Sequence, residues 1–78
     1  MGDIFYQKVG ELLKEYRVGC NMTQEEVADR LNVSRSCYAS WELGRRNMNI
    51  DDMFKLCDIF GVDINEFSKQ VKRYLYKK

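Results

Sequence analysis

The 78 residues include no proline and no histidine, and glycine occurs only five times. Proline interrupts helices more strongly than any other residue, because it lacks an N–H and clashes with the preceding turn. A chain without it is open to helix from end to end, with short connections. Without histidine there is no imidazole to serve as base to a cysteine nucleophile or to complete a zinc site. The three cysteines, Cys20, Cys37 and Cys57, are odd in number and widely spaced. A disulfide framework calls for an even count, so reduced thiols and no bound metal are expected. No apolar run approaches the roughly 20 residues of a membrane span. The start, Met1-Gly2-Asp3-Ile4, lacks the basic-then-apolar pattern of a signal peptide. No glycine-rich phosphate loop is present. The acidic pairs Glu25-Glu26 and Asp51-Asp52 fall where helices are expected to begin, and capping and the helix dipole account for them. These absences argue against an enzyme, a cofactor, a small-molecule effector or a membrane partner, and they point to a cytoplasmic protein.

What the chain does contain is 45% hydrophobic and 32% charged residues, the balance of a soluble globular protein rather than a disordered one. Its length suits one domain, residues 1–78. The formal net charge is only +1, but its distribution is uneven. Residues 1–34 hold four basic and six acidic groups, and residues 35–47 hold three basic and one acidic. Residues 48–66 hold one basic and five acidic, and residues 67–78 hold five basic and no acidic. Such polarity suits a molecule that turns one face toward phosphate.

Hydrophobic spacing and capping residues predict five helices and an all-α fold. The first runs from about Ile4 to Val18, with Phe5, Val9, Leu12 or Leu13, and Tyr16 on one stripe. Gly19, Cys20 and Asn21 break it. Thr23, with Glu26 three residues on, forms a capping-box pattern for a second helix to Leu31, which buries Val27, Ala28 and Leu31. Asn32 is the natural residue for a left-handed turn. Ser34 caps a third helix to about Leu43, ended by Gly44 and marked by Tyr38 and Trp41. A fourth spans about Ile50 to Phe60, with Ile50, Met53, Leu56, Cys57 and Phe60 spaced for a core. Asp63 caps a fifth from about Ile64 toward Tyr76, whose face is Ile64, Phe67, Val71 and Tyr74 or Leu75.

Helices two and three have the make-up of a helix-turn-helix. Ala28 is small enough for close approach, Asn32 tolerates the turn and Val33 plugs the angle between the helices. Arg35, Ser36, Cys37 and Ser40 are left on the outer side of the third helix. At this point the chain resembles the lambda-repressor-like, Cro/CI-type (XRE-type) family of DNA-binding proteins. The likeness is carried by Val9 through Arg17, by Thr23-Gln24-Glu25-Glu26-Val27-Ala28, and by Val33-Ser34-Arg35-Ser36 followed by Trp41-Glu42-Leu43-Gly44-Arg45-Arg46. It continues through Gly61-Val62-Asp63-Ile64-Asn65-Glu66-Phe67. It covers about residues 9–67, in order. Met48 departs from it, standing where the family usually has proline, and a less rigid loop is expected there.

The resemblance implies a compact five-helix domain that binds double-stranded DNA and regulates transcription as a repressor, with Ser34–Leu43 as the recognition helix. It implies that Thr23 and Gln24 touch phosphate, and that Arg45, Arg46 and Asn47 follow the backbone. Arg35, Ser36 and Ser40 are the base-reading set. Arg35 leads it, because a guanidinium can bond two acceptors of guanine. Cys37 packs on a thymine methyl or a sugar, or simply fills space. Arg17 and Glu42 are expected to form a partly buried ion pair joining the first helix to the third. A single unit makes few contacts, so a homodimer on a palindromic operator is expected, with Phe54, Ile59, Phe60, Val71, Tyr74 and Leu75 as interface candidates and residues 64–78 as a helix that helps to dimerise. The setting would be a bacterial cytoplasm or nucleoid, or a phage-encoded protein. An antitoxin or adaptor that keeps the fold and binds a protein partner is the alternative.

Overall fold

Side-chain caps set most of the helix boundaries. The computed structural model describes residues 2–76, and the side chains of all of these except 2, 3, 74 and 75. The helices are α1 (Gly2–Gly19), α2 (Gln24–Leu31), α3 (Arg35–Glu42), α4 (Ile50–Phe60) and α5 (Ile64–Tyr76), and the described residues contain no strand. At the start of α2 the Glu26 N–H donates to Thr23 Oγ1 at 3.1 Å, and the Thr23 N–H donates to Glu26 Oε1 at 2.8 Å. Two of the amides that a helix start leaves unpaired are thus satisfied. Ser34 Oγ accepts from the Cys37 N–H at 3.1 Å, and Asn49 Oδ1 accepts from the Asp52 N–H at 2.8 Å. Asp63 Oδ1 accepts from the Asn65 N–H at 2.8 Å. Asn32 takes the left-handed conformation expected of it, with φ +62°. Asn21, read from the sequence only as a breaker, is left-handed as well at φ +57°.

Two expectations about the fourth helix change. Ile50 is not a core residue: it begins α4 directly after the Asn49 cap and is 62% exposed. Its place is taken by Met48, which reaches inward from the loop and is 6% exposed. A long, unbranched thioether can enter the core from an irregular backbone, so the residue expected to loosen this loop is buried within it. The third helix also stops one residue earlier than expected, at Glu42, leaving Leu43 as an exposed cap before Gly44 at φ +72°.

α1 packs on α3 and α5, α2 packs on α3 and α4, and α4 also meets α5. Val9 and Leu13 of α1, Val27 of α2, Tyr38 of α3 and Leu56 of α4 are almost wholly enclosed. Phe67 and Val71 attach α5 to the same core. The approach of α1 to the end of α3 is close enough that a Cβ at Gly10 would overlap the Trp41 and Glu42 carbonyls. A Cβ at Gly44 would likewise overlap the backbone of Gln7. The orientation of α3 is therefore fixed by backbone contact as well as by side chains.

Candidate nucleic-acid interface

The turn between α2 and α3 is three residues, Asn32 to Ser34. The left-handed Asn32 lets the chain reverse, and the Val33 N–H bonds back to the Ala28 carbonyl at 3.0 Å. Ala28 is 1% exposed, and Val33 is half-buried against the core. With α2 behind it, α3 turns Tyr38, Trp41 and Glu42 inward and leaves Arg35 and Ser36 exposed, with Cys37 and Ser40 half-buried.

The outward polar groups differ in how far they are committed. The Arg35 side chain makes no hydrogen bond or ion pair among the described residues. Ser40 Oγ donates to the Ser36 carbonyl at 2.9 Å, a bond back onto the helix that leaves the hydroxyl oxygen as an acceptor. Ser36 Oγ lies 3.3 Å from Ser34 Oγ. Arg45 is exposed in the exit loop. Arg46 and Asn47, also exposed, line an open groove of about 490 Å³ together with Cys37, Trp41, Asn49 and Asp52. The structure thus brings Cys37 beside the exit-loop residues.

At the start of α2 the side chains have internal duties. Thr23 is engaged in the capping box, and the Gln24 amide donates to Glu42 Oε1 at 3.0 Å. The backbone N–H groups of Gln24 and Glu25 make no hydrogen bond among the described residues. They are donors at the positive end of a helix dipole, where an anion is favoured.

Glu42 is the junction beneath this surface. It is 8% exposed, and it receives Arg17 Nε at 2.6 Å and Arg17 Nη2 at 3.2 Å, a bidentate pair. Arg17 Nη1 donates to the Met22 carbonyl at 2.9 Å. One carboxylate on α3 is therefore bonded to α1 through Arg17 and to α2 through Gln24. The Tyr38 hydroxyl is buried beside it and falls short of a well-aligned hydrogen bond, and the Trp41 indole N–H is likewise buried without an acceptor. Burial alone would raise the Glu42 carboxyl, but the Arg17 and Gln24 donors, with the Tyr38 hydroxyl close by, outweigh it and hold the carboxyl below its ordinary range. Burial, reinforced by the Glu42 charge, pushes the Tyr38 phenol far up.

The interface candidates separate by burial. Phe54 is 47% exposed and Ile59 is half-buried. Phe60 and Val71 are enclosed in the core of the single chain and offer little surface to a second copy. The side chains of Tyr74 and Leu75 lie outside those described. Sequence reasoning missed Gly10 and Met48. An interior helix glycine costs stability unless something needs the space, and that was the available signal for Gly10. Met48 sits in a loop, where no period reports burial.

A sequence profile of the helix-turn-helix family matches residues 13–67. Over 56 residues the chain is 38% identical to the HTH-type transcriptional activator BcrR of Enterococcus faecalis, covering 72% of this chain but 28% of that protein. Over 54 residues it is 39% identical to an HTH-type transcriptional regulator of Methanocaldococcus jannaschii, covering 69% of this chain and 82% of the relative. It is also 32% identical over 54 residues to the cryptic phage CTXphi transcriptional repressor RstR of Vibrio cholerae, covering 69% and 49% of the two chains.

Proposed function

The chain belongs to the XRE-type, Cro/CI-like helix-turn-helix family of DNA-binding transcriptional regulators, and from that premise we propose that it acts as a homodimeric repressor on a palindromic operator. The observation that carries the reading is the outward side of α3, where Arg35 is uncommitted and Ser36 and Ser40 keep acceptor capacity. In this reading α3 lies in the major groove. Arg35 bonds the O6 and N7 acceptors of a guanine, and Ser36 and Ser40 meet neighbouring base edges. Cys37 packs against a thymine methyl or a sugar.

The phosphate contacts come from both flanks. On one side the unpaired Gln24 and Glu25 amides receive a phosphate, with the second Gln24 side-chain N–H and the Thr23 hydroxyl beside them. On the other, Arg45, Arg46 and Asn47 follow the backbone. These contacts set register, and the α3 side chains supply discrimination. Repression in this reading requires an operator that overlaps the promoter, so that an occupied site excludes polymerase. The residues form a single working unit of the cytoplasm or nucleoid. No described helix is long and apolar enough to cross a membrane.

Selection of bound sequences from random duplexes, repeated with Arg35→Ala, tests this reading. The wild type should yield a palindromic consensus, and the variant should lose preference at one base step per half-site while keeping non-specific affinity. Uniform weakening on every sequence would reduce Arg35 to a phosphate contact. No consensus from the wild type would refute sequence-specific binding.

A further inference from the structure

Trp41 is 4% exposed, and its indole N–H is buried with no acceptor among the described residues. Native proteins pair nearly all buried donors, and one left unpaired carries a desolvation cost. Packing accounts for the ring but not for the N–H. The ring meets Tyr38 edge-on, with 6.3 Å between centroids, and a phenyl group would serve that contact without stranding a donor. Trp41 also borders the open groove of about 490 Å³ between α3, the exit loop and the start of α4. Arg46 and Asn47 line the same groove, exposed, with side chains that make no hydrogen bond or ion pair among the described residues. An indole, a guanidinium and an amide, all donors, thus share one opening.

We propose that Trp41 is itself a DNA-contact residue: on binding, an oxygen of a backbone phosphate enters this groove and accepts the indole N–H, with Arg46 and Asn47 beside it. The indole nitrogen only donates, and an ionised phosphate oxygen only accepts. Val33, Cys37 and Met48 give the groove apolar walls that suit the deoxyribose next to the phosphate. Asp52, the acidic residue in the lining, stands in the first turn of α4, where the helix dipole offsets its charge. Exposed side chains change rotamer within nanoseconds, so Arg46 and Asn47 give way as the phosphate reaches the edge of the ring. Because the N–H has no partner in the free chain, its bond is gained on binding rather than exchanged for one already made.

This inference rests on the DNA-binding reading above. It adds a contact from a residue on the buried side of α3, where packing alone would be expected.

Trp41→Phe keeps an aromatic ring and removes the N–H, and circular dichroism with denaturant unfolding verifies that the variant folds. Affinity is measured on a duplex carrying one half-site, with its natural backbone and with a methylphosphonate in place of each phosphate in turn. W41F should bind about tenfold more weakly whatever the base sequence. Its salt dependence should match the wild type, since a neutral donor releases no counterion, whereas Arg46→Gln should lower the slope by about one ion. The methylphosphonate that weakens the wild type at this contact should weaken W41F severalfold less, the shared bond being already gone. Equal affinity of W41F and wild type, or losses that multiply independently at every phosphate, would overturn the inference and leave the DNA-binding reading standing. A second measurement needs no variant. The chain has one tryptophan, so its single indole N–H resonance should move downfield when the duplex is added, and an unmoved resonance would also overturn the contact. A wild type that binds no duplex at all would remove the regulatory reading, and this contact with it.

Discussion

Glu42 does more than its partner Arg17 requires of it. Its carboxylate is bonded to α1 and α2 from a position on α3, and so holds the recognition helix against both neighbours. Removing one member of a buried pair leaves the other charge unsatisfied, at a cost of about 3 kcal/mol. Arg17→Met should therefore destabilise more than the double variant Arg17→Met/Glu42→Leu, as read by denaturant unfolding; equal or additive losses would contradict the coupling. The sign of the pH dependence follows from the depressed Glu42 carboxyl. The unfolded chain binds that proton more readily, so the stabilisation is present at neutral pH and is lost as pH falls below about 4.3, the ordinary glutamate value. Thermal unfolding from neutral to acid pH should show the wild type losing stability more steeply than the double variant. The Arg17–Glu42 pairing was implied by family resemblance, but the Gln24 bond was not legible. Gln24 and Glu42 are 18 residues apart, and their contact exists only at the particular angle at which α2 meets α3.

At the scale of elements, caps made the sequence readable. α2, α3 and α5 begin where Thr23, Ser34 and Asp63 predict, because each residue has a local hydrogen-bonding preference that needs no tertiary partner. Local signals fail where burial is decided by packing. Ile50 fits the apolar spacing of α4 but stands at its first position, and Met48 supplies the buried side chain from outside any helix. Glycines in α1 make the same distinction testable. Gly10→Ala should cost about 1–3 kcal/mol, since its methyl meets backbone carbonyls that cannot move aside like a side chain. Gly19→Ala meets nothing within 4 Å and should leave stability unchanged or raise it by up to about 1 kcal/mol through helix propensity. Chemical denaturation of the two variants side by side distinguishes a packing glycine from a permissive one.

The whole molecule is nearly neutral, at +1, yet divided into segments of opposite sign. The positive run through α3 and the exit loop lies at the candidate DNA surface, while the acidic stretch of residues 48–66 lies in α4 and the start of α5. This division was legible as a count along the chain. That Asp63, Glu66 and Arg73 share the exposed side of α5 emerged only once the structure had placed Phe67 and Val71 in the core. Small net charge implies modest non-specific affinity, so a single copy should bind random DNA weakly and lose it steeply with added salt. The central claim, that the outward side of α3 and its flanks meet DNA, is tested most directly by following backbone and side-chain amide resonances while a duplex is titrated at low salt. The account predicts the largest shifts at Thr23, Gln24, Ser34 to Ser40 and Arg45 to Asn47, with α5 unaffected by a duplex carrying one half-site. Shifts confined to α4 and α5, or none anywhere, would contradict it.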